Sequence, residues 1–207
     1  MVGVKQFDEA AVLDRIMTLF WQRGYDATSI DDLVAATGLK RGSLYNAYGG
    51  KDEMFLRAFD RYIDHVGTPV RERLKAPDAR AAIRSWLAGH LERMADPDNP
   101  PGCLATHACL EMAQRDDAIG RRVRDSMVAM ESLLYDALRR AQAQGHLGPE
   151  QDLRALARFF HGTLRGMALL HKATGDISAV RDMADVATSI FDEAAASRGG
   201  AKAVPAG

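Results

Sequence analysis

The chain has 207 residues, of which 47% are hydrophobic and 27% charged, with a formal net charge of -1. This balance supports packed cores and excludes a disordered chain, and the apolar residues are interrupted too often for a membrane span. A near-neutral chain has no global attraction to nucleic acid, so DNA binding requires a local basic patch. Cys103 and Cys109, the two cysteines, are too few for a disulfide framework and lack the paired spacing of a structural zinc site. No charged start precedes an apolar run and a small-residue cleavage site, so no secretory signal is expected and the cytoplasm is the default compartment. Nothing in the sequence points to a metal or a cofactor.

In chain order, Val12, Ile16, Leu19 and Phe20 share one face of a helix that ends near Arg23-Gly24. Thr28, with Asp31 three residues on, is the expected cap of a second helix that stops at Thr37-Gly38. After a break over Gly38 to Arg41 comes the short segment Gly42 to Tyr48, closed by Gly49-Gly50 and too short to stand without docking on its neighbours. Lys51 to His65 places Met54, Phe55, Ala58, Phe59 and Tyr62 at helical spacing, and Gly67 and Pro69 are expected to loosen or kink the chain. Further helices are expected at about 78–95, 104–115, 117–144, 151–174 and 179–195, and no segment alternates like a strand. Asp96 to Gly102 reads as a loop, and the Gly- and Ala-rich end after Ala196 as a frayed tail.

Helix, break and short helix is the geometry that puts a second helix in the major groove, about 12 Å wide, while the first braces it. Generic helical pairs look similar, so the discriminating feature is charge placement. Between Gly38 and Lys51 stand three basic residues, Lys40, Arg41 and Lys51, and no acidic one. Lys40 and Arg41 precede or open the short helix, where an Arg can donate two bonds to guanine. Ser43, Tyr45 and Tyr48 offer hydroxyls to phosphates, and Lys51 opens the next helix, whose amide groups also attract a phosphate. On the residues alone, Tyr45 and Tyr48 can equally be core aromatics and the basic residues a solvated loop.

The segment Thr28 to Phe55 closely resembles the DNA-binding domain of the tetracycline-repressor (TetR) family, with the match running from about Val12 to Phe59 and including Phe20 and Gly24-Tyr25. The resemblance implies an all-α, homodimeric repressor of double-stranded operator DNA. It implies a three-helix helix-turn-helix domain over residues 1–51, a connecting helix over about 51–68, and a larger helical ligand-binding and dimerisation domain over 69–196, leaving 197–207 as tail. By position, Ser29 beside Thr28 is the phosphate contact of the second helix, Arg41, Gly42 and Ser43 are the base-proximal residues, Tyr45 and Tyr48 contact backbone or bases, and Lys51 clamps a phosphate. Lys40 is a further candidate for DNA contact. Asp31 departs from the pattern, because an acid cannot read a base where a basic residue can stand, and Ala47 is smaller than the aromatic or His residues often found there.

In the C-terminal half, Leu153, Leu156, Ala157, Phe160, Leu164 and Met167 form one apolar stripe, while Gly162 and Gly166 make a small-residue step elsewhere on the same helix. With Phe159 and with Val186 and Ile190 of the last helix, they are candidates for a four-helix interface between two copies. The competing reading assigns both stripes to the core of one chain. Cys103 begins a helix, where a thiol is acidified, and His107 lies one turn on, so a thiol sensor of electrophiles or oxidants is the alternative to a non-covalent inducer. His161 and Arg165, four apart, form a polar wall, and Met112 and Met130 are candidates for an adaptable pocket holding a small, apolar inducer.

Two rival functions come from other classes: a thiol enzyme using Cys103 with His107, and a helical ligand carrier that does not read DNA. Against the enzyme stand the absence of a Gly-rich phosphate loop, of HExxH or GxSxG, and of a carboxylate pair set for acid-base work.

Overall fold

The computed structural model describes residues 7–192, so the tail expected over 197–207 and the end of the last helix lie outside the described residues. Nine helices follow one another among these residues: α1 (Glu9–Arg23), α2 (Ile30–Thr37), α3 (Arg41–Tyr48), α4 (Lys51–Leu74), α5 (Ala79–Ala95), α6 (Leu104–Met112), α7 (Ala118–Ala143), α8 (Leu153–Thr174) and α9 (Ile177–Thr188). The architecture is all-α, as the periodicity predicts. Caps set many of the starts. Asp8, Asp78, Asp152 and Asp176 each stand in extended backbone and accept amide protons of the first turn of α1, α5, α8 and α9, which satisfies donors that have no partner inside the helix. None of the described helices is long and apolar enough to cross a membrane.

Pro69 lies inside α4, which continues to Leu74, beyond the end expected near residue 68. The ring removes one amide and one internal bond, but Val66, Val70 and Leu74 keep an apolar face that is buried, and burial of that face outweighs the local loss.

The chain divides into two compact units. The first holds the chain up to Thr68 together with Gly102–Ser126, and the second holds Pro69–Pro101 and the chain from Met127 onward. The first unit therefore takes in α6 and the start of α7, which the sequence reading places with the C-terminal domain. Its core is built on Ile16, Phe20, Leu33, Leu44, Met54, Phe55 and Phe59, all fully buried or nearly so. Phe20 meets Phe55 edge-on at 5.2 Å between ring centres, and Trp21 meets Tyr62 in the same way at 5.0 Å, the geometry that aromatic quadrupoles favour. In the second unit, α5, α8 and α9 pack together around Ile83, Trp86, Phe160, Leu164, Met167, Val180 and Phe191.

Candidate nucleic-acid interface

The helix-turn-helix is held by local polar bonds. Ser29 is the N-cap of α2: its hydroxyl accepts from the amide of Asp32, and the Asp32 carboxylate accepts in return from the Ser29 amide at 2.9 Å. The capping box thus starts one residue later than expected. Thr28 is fully buried and its hydroxyl donates to the Gly24 carbonyl at 2.6 Å, so it braces the loop from inside and is not presented to DNA. At the other end of α2, Gly38 adopts a left-handed conformation with φ 72° and bonds back to Val34, a turn that a side chain would strain. Leu44 from α3 and Leu33 from α2 are buried in the same core.

Hydrogen bonds from Ser29, then the Arg23 guanidinium, lower the Asp32 carboxyl to about 2. Its folded pKa lies below the unfolded value near 3.9, so its stabilisation is present above about pH 4 and disappears as the pH falls towards 2. Asp32→Asn is expected to flatten the fall of the thermal midpoint in that window, measured by circular dichroism. An unchanged slope would assign acid sensitivity to other carboxylates.

The α3 surface separates cleanly. Lys40, Arg41, Gly42, Ser43 and Tyr45 are exposed, Tyr45 to 41%. Tyr48 is 3% exposed and its hydroxyl donates to the Glu9 carbonyl at 3.1 Å. It anchors α3 to the entrance of α1 and is withdrawn from the contact set, because the apolar ring fills the core on the side of α3 away from solvent. Arg41 pairs with exposed Asp31 at 2.6 Å, an ion pair that the spacing of ten residues gave no reason to expect. The residue that departs from the family pattern thus holds the guanidinium at the start of α3. Ser29 is exposed, with its hydroxyl shared with Asp32 at 2.6 Å.

Lys51 opens α4 with its ammonium 4.1 Å from the centre of the Tyr25 ring, which restrains the flexible side chain at the helix start. The Tyr25 hydroxyl donates to Asp52, which also receives the Arg115 guanidinium at 2.7 Å. These bonds, Tyr25 first, hold the Asp52 carboxyl below its ordinary range, while burial and the Asp52 bond raise the Tyr25 phenol. Glu111 of α6 accepts the Tyr25 amide at 2.6 Å. That approach needs Gly24, whose φ is +83° and whose missing Cβ would run into the Glu111 carboxylate. Tyr25 enters the sequence reading only as part of the family match, and Glu111 and Arg115 not at all, since only the fold brings α6 to this loop.

The remaining candidates fall into different units. Cys103 is the N-cap of α6 and is buried, with the Tyr62 hydroxyl donating to its Sγ at 3.2 Å. His107 and Met112 are buried on the same helix, and all three belong to the first unit. Met130, His161 and Arg165 belong to the second, where the Arg165 guanidinium donates to His161 Nε2 at 3.1 Å. Phe159, Gly162 and Val186 are exposed, and Gly166 and Ile190 half-buried. Among the described residues, no group of three or more His, Cys, Asp or Glu side chains is placed to hold a metal ion.

The comparisons with known proteins agree with this geometry. Residues 12–58 match the model of bacterial regulatory proteins of the tetR family, and residues 79–187 match the tetracyclin repressor-like C-terminal domain. The HTH-type transcriptional regulator YezE of Bacillus subtilis (strain 168) is 33% identical over 190 residues, which cover 91% of this chain and 98% of that protein. The HTH-type transcriptional repressor ComR of Escherichia coli (strain K12) is 29% identical over 191 residues, 91% of each chain. Among solved structures, a cysteine-substituted variant of the TetR family regulator CifR in complex with 26-base-pair operator DNA superposes with a TM-score of 0.82 at 27% identity, covering 90% of this chain and 97% of that one. With both its DNA-binding and its C-terminal domain matched, this chain belongs to the TetR family of helix-turn-helix transcriptional regulators.

Proposed function

We propose that this protein is a cytoplasmic repressor. Two copies, joined through α8 and α9, lay their α3 helices in successive major grooves of an operator, and a small molecule held in the second unit releases them. The observation that carries the DNA-reading part is the exposure of Lys40, Arg41, Gly42, Ser43 and Tyr45 on one side of α3, with the opposite side docked through Leu44 and Tyr48. For the pairing of two copies, the support is the apolar surface left on α8 and α9, where Phe159 is 51% and Val186 70% exposed, against the rule that large apolar side chains seek cover.

Release has a physical route in α4, which contributes Lys51 to the first unit and Val70 and Leu74 to the second. A ligand that favours one position of the helix end shifts Lys51 and docked α3 with it. Such coupling is reciprocal, so operator DNA weakens inducer binding by the factor by which inducer weakens DNA binding, typically about 5- to 150-fold.

Selection of genomic fragments by the purified protein, followed by gel shifts at several salt concentrations, tests the reading, and failure to retain any fragment in preference to bulk DNA overturns it. In the same assay Lys51→Ala is expected to weaken binding to all sequences about equally and to lower the salt slope by about 1 per protomer, because a phosphate contact carries no base information. An unchanged slope removes Lys51 from the contact set.

A further inference from the structure

Two buried donors on one face of α5 lack acceptors. Trp86 is fully buried, and its indole Nε1, an obligate donor, has no hydrogen-bond partner among the described residues. His90, one turn on and 4% exposed, meets the Trp86 ring edge-on at 5.2 Å between ring centres. The Arg93 guanidinium lies 2.6 Å from His90 Nδ1. A guanidinium can only donate, so Nδ1 is the acceptor and the ring proton resides on Nε2. That nitrogen also has no partner. Burial, reinforced by the charges of Arg93 and Arg165, pushes the imidazole far towards its neutral form, which keeps this tautomer at neutral pH.

The surroundings are cationic as well as donor-rich. Arg93 comes from α5 and Arg165 from α8, and the His161 side chain beside Arg165 is lowered to about 4 by burial and by that guanidinium. Glu131, whose negative charge opposes that lowering at His161, is shared between Arg154 and Arg158 at 3.3 Å each. Native proteins rarely leave buried donors unmet, and two adjacent ones, with the Arg93 guanidinium against His90 and the charge of Arg165 also acting on it, call for an acceptor that carries negative charge. Leu87, Met94 and Leu164 on the same helices are buried and apolar, which suits a hydrocarbon body.

We infer that the face of α5 bearing Trp86 and His90, with Arg165 from α8, recognises the carboxylate head of a small amphipathic acid. This rests on the reading of the second unit as the inducer-binding unit and names the inducer's class. The carboxylate oxygens accept from indole Nε1 and imidazole Nε2, the guanidiniums balance the charge, and the chain or ring of the acid packs against the apolar side chains.

The chain has two tryptophans, Trp21 and Trp86, so Trp21→Phe in the full-length protein makes Trp86 the sole indole reporter. Octanoate and benzoate are titrated against it alongside octanamide and benzamide, which match them in shape without the charge. At least one acid is expected to shift Trp86 emission saturably and about tenfold or more tightly than its amide, and His90→Phe is expected to abolish that preference. Should circular dichroism show His90→Phe to be unfolded, Arg165→Gln serves in its place, with the same loss expected. Equal binding of acid and amide, no response to either acid, or a preference that survives these substitutions overturns the inference. Gel shifts on the same samples separate the two readings. Protein that retains operator and ignores the acids defeats this inference alone, whereas protein that discriminates acid from amide without retaining DNA supports it and defeats the repressor reading.

Discussion

Val186→Asp, or Phe159→Asp on α8, is expected to yield folded monomers whose operator affinity is about 10²- to 10⁴-fold lower, because the second half-site no longer binds at the high effective concentration that pairing provides. Both side chains are more than half exposed in the single chain, so a carboxylate at either position costs little until two copies meet; there, two like charges face each other across a symmetric contact without water. The geometry of DNA sharpens the effect. Two recognition helices must stand about one duplex turn apart, roughly 34 Å, to enter the same face, and only a fixed pairing of copies sets that distance. Sedimentation should show monomers with native helix content. Dimers that persist in both variants would place the interface elsewhere than on α8 and α9.

Arg41→Ala is expected to cost about 1–3 kcal/mol per half-site and to relax preference at one base pair, the signature of a contact to a base edge. In the free protein the Arg41 guanidinium is held by Asp31, with both side chains more than half exposed. An ion pair so exposed to water contributes little, so DNA can draw the guanidinium away from Asp31 or use the pair as oriented. Binding measured against every single substitution of the selected operator distinguishes the roles. A loss confined to one position marks Arg41 as a reader, and a loss spread evenly over all of them makes it a phosphate ligand.

The recognition unit was legible because its signals are local. Apolar spacing in α1 and α4, the glycines at 24, 38 and 49, and the basic cluster from Lys40 to Lys51 each act over a few residues. The misplacements have physical causes. Thr28 and Ser29 are both able to cap, and the choice between them fell to the core, which buried one hydroxyl and left the other at the helix start. Tyr48 carries an amphipathic side chain whose ring was needed inside. Pro69 was read by its local cost, which the buried face of α4 overrides. Glu111, Arg115 and the Trp86–His90 pair were invisible for a different reason. Their roles depend on groups brought close by tertiary packing, and a helical pattern does not specify which helix a polar side chain will meet.

The contact between Glu111 and the loop at Gly24 carries an evolutionary expectation. With a glycine at 24 in left-handed backbone and a carboxylate filling the space where its side chain would stand, neither position is free to drift alone. A lineage that gains a β-carbon at 24 must shorten or redirect the residue at 111, and one that loses the acid at 111 leaves the Tyr25 amide seeking another acceptor. Across descendants of this sequence the two positions should therefore change as a pair, a record of α6 touching the loop between α1 and α2 that survives even where the identities of both residues have been lost.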